Sequence, residues 1–437
     1  MHVGYPLGFV LVDFDILLRG ILSSVAGMSV DFRTRVDEDV IAVEPRAFFR
    51  RHLLAALEET RDLVWPGAAR LGLRPLVVEV DDECWSLVWE DEVFVRVGPV
   101  RGGAHVRMTA AELSELVQDQ RTPLTFFTSG TLDMPAGTFD DFLDWWLVLR
   151  AALDGRELYT PGTVAFADRD GRALDLGRRF RLGDSPVEMS QFLVEAGYLH
   201  IVGAFSEREM ERVSVEMDRA APTYSDGDGR SWWATTDDGT RRLVRMQGFD
   251  ERSASVAELL RDERFLRLGA IPGDGHVHTG LENNRIEALV KPIGVVQGIS
   301  DVPWHKDCSL GRHSYECCSL TAGISVTGAD ARSGQLRVVA GSHRALLRPA
   351  HVKPSSHDLP EIDLPTQTGD VTLHLSCTLH MSQPPVERER RVMYTGFRLP
   401  GVVSNATADA RARVRLARES AHRTVSQAPS RAGDTAK

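Results

Sequence analysis

The stretch GDVTLHLSCTLHMSQPP, residues 369–385, constrains the fold of this chain more than any other. After a turn at Gly369 and Asp370, apolar and polar residues alternate, which is typical of a β-strand. The alternation predicts a strand that runs to His380, with His374 on the same face because the two positions differ by an even number. EALVKPIGVV is also predicted to be a strand, and it precedes the stretch VPWHKDCSL.

Within VPWHKDCSL, His305 and Asp307 are two residues apart, so in a strand both side chains project to the same side. The pair offers one nitrogen and one oxygen ligand, which are two corners of a facial triad on iron(II). The third ligand is then a histidine from a distant strand. We predict His380, which stands at a strand end, while His374 remains the rival.

A candidate cosubstrate contact, Arg391, follows in the segment RERRVMYTGFRL. A buried arginine presents a planar fork that binds a carboxylate through two parallel hydrogen bonds. A dicarboxylate cosubstrate requires such a group. Because neighbouring strand residues face opposite sides, Arg390 is expected to point away from the site.

Taken together and in this order, the motifs resemble the phytanoyl-CoA dioxygenase family of Fe(II)/2-oxoglutarate-dependent oxygenases over residues 185–400. The resemblance includes the opening strand and helix in GYLHIVGAFSEREMERV, the histidine–aspartate motif in VPWHKD, the turn in SGQLRVVAGSHR, and GDVTLHLSCTLHMS followed by two arginines. It implies an α+β protein whose C-terminal domain is a double-stranded β-helix (a jelly-roll, cupin-like barrel) with flanking helices. It also implies the roles of catalytic iron ligands for His305, Asp307 and His380, and of 2-oxoglutarate binding for Arg391.

The same resemblance suggests further contacts with cosubstrate and substrate. Ser382, Thr321 and Lys291 fall where cosubstrate contacts occur, although Lys291 is equally well interpreted as a strand-end lysine. Arg245 and Gln247 fall where substrate is contacted, with a substrate carboxylate or phosphate as a partner for the arginine; a surface arginine is the alternative.

Two positions need separate comment. Gly323 stands where the family often has an aromatic residue, and this departure predicts extra room near the cosubstrate. His343 follows a glycine turn and is interpreted as a loop hydrogen-bonding residue rather than a ligand.

The resemblance implies an oxidation by O2 in which 2-oxoglutarate is converted to succinate and CO2. Hydroxylation of an unactivated C–H bond in a small or amphiphilic metabolite, for example one of secondary metabolism, is the leading interpretation. Because Asp307 is a carboxylate, it leaves no coordination position for a halide, so halogenation is disfavoured. Desaturation, epoxidation and cyclisation would use the same ligands. A lipid-binding protein with a degenerate barrel and a cupin-type isomerase or binding protein are the remaining alternatives.

The N-terminal part has a different pattern. Thr109 and Glu112 have the spacing of a helix capping box, and residues 40–155 resemble a sterol-carrier-protein-2-like (SCP2-like) α/β domain. That resemblance implies an apolar ligand tunnel, or else an ordinary core, built from Phe126, Phe127, Phe139, Phe142, Trp145 and Trp146. The predicted organisation is therefore an SCP2-like domain at 1–155, a linker at 156–184, the dioxygenase domain at 185–400 and a mobile tail at 401–437.

Composition limits the possible partners. A net charge of −11 disfavours general nucleic-acid binding, and five cysteines without CxxC spacing favour a reducing compartment. The apolar first 30 residues contain Asp13, Asp15 and Arg19, so they are interpreted as part of the first domain or an upstream extension rather than a signal or a membrane span. We expect a cytoplasmic enzyme of a small-molecule substrate, with the oligomeric state open.

Overall fold

The computed structural model describes residues 40–278, 286–298, 302–310, 317, 319–349 and 357–399. The described chain divides into two compact units. The first contains Val40–Asp119 and Leu132–Thr160, and the second contains Gln120–Thr131 and the chain from Pro161 onward. The predictions about residues 1–39 and about the tail at 401–437 lie outside the described residues.

From Pro45 to Asp154 the chain alternates between helices and strands. In order, the elements are α1 (Pro45–Ala47), a π-helical segment (Phe48–His52), α2 (Leu53–Glu59), α3 (Arg61–Leu71), β1 (Leu76–Val80), β2 (Glu83–Trp89), β3 (Val93–Val97), β4 (Ala104–Met108), α4 (Ala110–Val117), α5 (Pro123–Ser129), β5 (Asp133–Ala136) and α6 (Phe139–Asp154). The strands form one sheet in the order β3-β2-β1-β4-β5. Strands β1 and β4 are parallel and the other neighbours are antiparallel.

A local sequence signal explains where helix α4 begins. The Thr109 side chain accepts a hydrogen bond from the Glu112 backbone, and the Glu112 carboxylate accepts one from the Thr109 backbone. This confirms the predicted capping box, which satisfies two amide groups that a helix start leaves without partners.

The aromatic residues proposed as a tunnel lining do not share one environment. Phe142, Trp145 and Trp146 of α6 are fully buried. Phe126 and Phe127 lie on α5, which belongs to the second unit, and Phe127 is exposed. The six residues therefore do not form a single lining, and the resemblance of residues 40–155 to an SCP2-like domain stays a prediction.

The second unit is rich in strands. From Pro186 onward the elements are α7 (Pro186–Ala196), β6 (Tyr198–Ile201), α8 (Glu207–Ala220), a 3-10 helix (Ala221–Thr223), β7 (Ser231–Thr236), β8 (Arg241–Met246), a 3-10 helix (Phe249–Glu251), α9 (Ala254–Leu259), α10 (Glu263–Ala270), β9 (Val277–His278), β10 (Glu287–Lys291), β11 (Val295–Gln297), β12 (Val302–His305), a 3-10 helix (Asp307–Leu310), β13 (Ser319–Ser325), β14 (Leu336–Val339), β15 (Glu361–Leu364), β16 (Val371–Leu375), β17 (His380–Ser382) and β18 (Arg390–Arg398).

These strands form two sheets. The larger has the order β11-β7-β8-β10-β18-β13-β16-β6, with β9 also paired to β18, and the smaller has the order β12-β17-β14-β15. Neighbouring strands in both sheets are antiparallel. Two antiparallel sheets with helices on one side are consistent with the predicted double-stranded β-helix.

The segment predicted as a linker packs on the second unit. The backbone amide of Phe180 donates to the carbonyl of His200 at 2.8 Å, and the amide of Val202 donates to the carbonyl of Phe180 at 2.8 Å. Phe180 itself is fully buried in the core. Burial in the core stabilises this large aromatic side chain. The second unit thus includes residues well before 185.

Paired residues on neighbouring strands project to the same side of a sheet, so the larger sheet has two distinct faces. We call one the apolar face; it includes Leu320, Leu373 and Phe397 and joins the main hydrophobic core. We call the other the polar face; its register places Thr321 beside His374 and Lys291 beside Arg390. None of the described helices is long and apolar enough to cross a membrane.

Candidate metal centre

His305 and Asp307 lie close together at the end of β12. The strand ends at His305 and a 3-10 helix begins at Asp307, so the two side chains meet through a turn of the chain and not through strand alternation. Nε2 of His305 lies 3.2 Å from Oδ1 of Asp307, and Nε2 of His380 lies 3.8 Å from the same oxygen. The three side chains offer ligand atoms that all lie within 4.8 Å of one another.

His374 and His380 do not lie on one continuous strand as the alternation suggested. His374 is on β16 of the larger sheet, and His380 begins β17 of the smaller sheet, where it pairs with His305. The ring of His380 is 4.2 Å from that of His305 and 4.1 Å from that of His374, measured between centroids. The chain crosses from one sheet to the other between the two histidines, and both imidazoles reach the centre.

The protonation of His380 suits metal binding. Burial lowers the pKa of His380 well below its ordinary value, and the neighbouring His374 and His305 lower it further. Its Nδ1 lies 2.9 Å from the carbonyl oxygen of Thr378. A carbonyl only accepts, so Nδ1 carries the proton and Nε2 keeps its lone pair for a ligand bond.

Asp307 is ionised in the same environment. Burial alone would raise its pKa, but the electrostatic interaction with His380 and the hydrogen bond with His305 outweigh burial and hold the pKa well below its usual range. Oγ1 of Thr321 also donates to Oδ2 of Asp307 at 3.2 Å. An anionic carboxylate beside neutral imidazole nitrogen is the donor set of a divalent cation such as Fe(II), so the residues fit the predicted metal.

His374 is a second imidazole at this centre. It is fully buried, and its Nε2 lies 3.7 Å from Oδ2 of Asp307, too far for a hydrogen bond. Neither ring nitrogen has a hydrogen-bond partner among the described residues. His374 is therefore the alternative third metal ligand, and the assignment of His380 must be tested against it.

Arg391 does not lie with the other predicted site residues. Its guanidinium forms an ion pair with Asp218 at 2.8 Å and donates to Oγ of Ser214 at 3.0 Å, both on helix α8. This side of β18 is the apolar side of the sheet, which packs on the helices. Arg391 therefore faces helix α8 and not the candidate metal centre.

Arg390 lies on the polar face and is only 2% exposed. Its Nη1 donates to the carbonyl of Gly334 at 2.7 Å and lies 3.4 Å from Oγ of Ser382, and its Nη2 lies 3.5 Å from the hydroxyl of Tyr394. No carboxylate of the described residues forms an ion pair with this guanidinium, and its Nε has no hydrogen-bond partner there.

Lys291 and Ser382 surround the same position. Nζ of Lys291 donates to Oγ of Ser382 and, at 3.1 Å, to the carbonyl of Gln383. Lys291 is almost fully buried. Ser382 follows His380 by two residues on β17, so this strand carries both a candidate metal ligand and a partner of Lys291.

The two predicted substrate contacts meet at a carboxylate that sequence reasoning missed. Nε of Arg245 donates to Glu287 at 2.6 Å, and the side-chain amide of Gln247 donates to the other carboxylate oxygen at 3.1 Å. The Arg245 guanidinium also lies over the ring of Trp232 at 4.3 Å. Glu287 pairs with Tyr394 in the sheet register, which places it on the polar face. Alternation along β10 from Lys291 to Glu287 was the available signal.

The extra room predicted at Gly323 is filled by a neighbouring strand. A Cβ atom at Gly323 would lie 2.9 Å from a ring carbon of Tyr394 and 2.9 Å from Oγ1 of Thr372. The ring of Tyr394 on β18 therefore occupies this space, and the prediction of extra room was wrong. His343 lies in a turn and hydrogen-bonds the last turn of helix α7, with its Nε2 2.7 Å from the carbonyl oxygen of Val194.

Two antiparallel sheets lie around a carboxylate and imidazoles, which is the arrangement expected of a double-stranded β-helix with a metal centre. The comparison with protein families agrees with this class of fold. Residues 193–392, somewhat less than half of the chain, match the profile of the phytanoyl-CoA dioxygenase (PhyH) family. This match confirms the family resemblance that the motifs predicted for the C-terminal part.

Several solved structures are similar to about half of the chain. AviO1 from Streptomyces viridochromogenes Tue57 is 21% identical over 50% of this chain and 97% of its own, with a TM-score of 0.41. EctD from S. alaskensis with 2-oxoglutarate and 5-hydroxyectoine is 18% identical over 55% and 90%, with a TM-score of 0.41. The epimerase SnoN in complex with Fe3+, alpha ketoglutarate and nogalamycin RO is 17% identical over 49% and 83%, with a TM-score of 0.38. A search of curated proteins finds no match.

Proposed function

We propose that this protein is an Fe(II)- and 2-oxoglutarate-dependent oxygenase that hydroxylates an unactivated C–H bond of a small molecule and releases succinate and CO2. His305, Asp307 and His380 would hold the iron. The bound iron and 2-oxoglutarate would supply the oxidising chemistry, while the protein binds, orients and shields the reactants. Because Asp307 occupies a ligand position as a carboxylate, hydroxylation is favoured over halide transfer.

The observation that carries this proposal is the buried guanidinium of Arg390. A buried charge without a counter-charge is costly, so such a group is expected to pair with an anionic ligand. The planar fork of arginine matches the two oxygens of a carboxylate. Arg390, together with the hydroxyl of Ser382 and the ammonium of Lys291, therefore forms the proposed site for the distal carboxylate of 2-oxoglutarate.

The substrate would lie against the polar face near Arg245, Gln247 and Glu287. Glu287 already neutralises Arg245 through hydrogen bonds and an ion pair. A second anion would have to displace that carboxylate, so a substrate carboxylate or phosphate is disfavoured. We propose a neutral substrate with hydroxyl or amide groups, which can hydrogen-bond to Glu287 and Gln247.

The test is release of succinate from 2-oxoglutarate by the full chain, with and without Fe(II) and with O2 present or excluded. Succinate release that needs both iron and O2 supports an oxygenase. His305→Ala should remove it, while Arg391→Ala, at the helix-facing side of β18, should retain it. Tight iron binding without any binding of 2-oxoglutarate would instead support a cupin-type binding protein or isomerase.

A further inference from the structure

A second cluster of metal-ligating side chains lies outside the site described above. Sγ of Cys308 is 3.0 Å from Sγ of Cys377, and the sulfurs of Cys308, Cys317 and Cys377 all lie within 4.8 Å of one another. Cys317 and Cys377 are buried and Cys308 is half-buried. Sequence spacing does not predict this cluster, because the three positions follow no zinc motif and meet only in the fold.

We propose that Cys308, Cys317 and Cys377 form a second metal site, separate from the His–Asp centre, for a thiophilic cation such as Zn2+. Three converging sulfurs are soft ligands, which select zinc or copper(I) over iron(II) held by nitrogen and oxygen. Two sulfurs bonded to one tetrahedral zinc at about 2.3 Å are roughly 3.8 Å apart. The spacing in the cluster brackets that value, so small side-chain rotations would complete the site.

The third thiol and a nearby lysine favour a metal over a disulfide. A disulfide would use two of the sulfurs, leave the third unused and carry no charge. Three thiolates around a divalent cation carry one net negative charge, and Lys306 is positioned to balance it. Lys306 is fully buried, its Nζ donates to the carbonyls of Ser342 and Ala345 at 2.8 and 3.2 Å, and no described carboxylate pairs with it.

The position of the cluster suggests what a bound cation would do. Cys308 directly follows Asp307, and Cys377 lies in the turn between β16 and β17, just before His380. The backbone amide of Cys308 already donates to the carbonyl of Ser376 at 3.3 Å. A cation held by these sulfurs would link two segments of the chain. One carries Asp307, a proposed iron ligand, and the other is the turn that precedes His380, a second proposed ligand.

The experiment uses the full chain, reduced and freed of metal, and titrated with Cd2+ as a spectroscopic substitute for Zn2+. A near-ultraviolet thiolate-to-metal absorption that saturates at one equivalent is expected. The band should persist in the double variant His305→Ala/His380→Ala, because the proposed iron ligands take no part in it. Cys377→Ser should abolish the band, whereas Cys84→Ser, in the first unit, should leave it unchanged.

If Cys377→Ser does not fold, Cys308→Ser at the half-buried position provides the same test. Absence of the band from the reduced wild-type protein would overturn the proposal. So would a mass two hydrogens lower without reductant together with no Cd2+ uptake after reduction, which would identify a disulfide pair. Neither result depends on succinate release, so failure of the second site and failure of the proposed oxygenase can be told apart.

Discussion

The two faces of the larger sheet are built by the same strands but have opposite chemistry. Strand β18 contributes Phe397 to the apolar face and Arg390 to the polar face, and both side chains are fully buried. Burial is favourable for the first and costly for the second. Local rules are broken most often at functional sites, so the contrast between faces favours the polar face as the proposed ligand-binding side.

The largest effect is expected at the metal ligands. His380→Ala should abolish iron binding at micromolar metal and succinate release, because it removes one of three ligands from the centre. His374→Ala should retain iron binding, since the convergent group of His305, Asp307 and His380 remains complete without it. Iron stoichiometry and succinate release measure both.

An active His380→Ala variant together with an inactive His374→Ala variant would reverse the assignment. The circular dichroism of each variant serves as a control for folding. Because iron serves chemistry here rather than the hydrophobic core, the fold should survive in both.

The next effect separates the two sides of β18. Arg390→Ala should bind iron normally but weaken 2-oxoglutarate binding by two to three and a half decades, since breaking a buried charged pair costs about 3–5 kcal/mol. Arg391→Ala removes a partly exposed ion pair with Asp218 and should change that affinity little. Anaerobic titration of the Fe(II) protein, followed by charge-transfer absorption, measures both.

The opposite result, with Arg391→Ala defective and Arg390→Ala normal, would restore the register expected from the sequence. Arg390→Lys refines the test. It keeps the charge and loses the fork, so binding weaker than wild type but tighter than that of Arg390→Ala is expected.

On the apolar face, the effect should appear in stability rather than in ligand binding. Leu373→Ala empties part of the core and should lower the free energy of unfolding by about 2–5 kcal/mol. The affinity of the folded variant for 2-oxoglutarate should stay near that of wild type, because Leu373 faces away from the site. Urea unfolding and the same titration distinguish the two faces, and a stable variant with poor binding would contradict the contrast.

The smallest expected effect, counted per pH unit, is a dependence of the free energy of unfolding on pH. Burial lowers the pKa of His343 to about 3, against about 6.5 in an unfolded chain. Between these values the unfolded chain binds a proton that the folded protein does not, so stability falls as pH decreases, by up to about 1.4 kcal/mol per pH unit. His343→Gln should have a shallower slope between pH 6.5 and 3 in urea unfolding, and an unchanged slope would show that His343 is not the responsible group.

The residue types of the candidate ligands could be predicted from the sequence because metal chemistry restricts metal-binding side chains to a few kinds. His305, Asp307 and His380 were chosen on that basis, and the structure brings them together. Their local geometry was less predictable, since parity arguments assume a continuous strand and the chain instead turns after His305 and again before His380.

The register of β18 was not predictable for a related reason. Its side-chain direction depends on the loop at residues 383–389, which contains Pro384 and Pro385, and a change of one residue in such a loop turns every following side chain to the other face. The cysteine cluster and the carboxylate at Glu287 likewise depend on contacts between segments far apart in the chain.

Because of helix α5, the two units cannot be separated by a single cut in the chain. It belongs to the second unit although the chain before and after it belongs to the first, and it packs against the 3-10 helix that begins at Asp307. A gene truncated to begin at residue 185 would therefore encode the segments that carry His305, Asp307 and His380 without the helix that packs beside Asp307. A fragment that keeps the second unit whole must include Gln120–Thr131, and exchanging N-terminal halves between relatives would also exchange this segment.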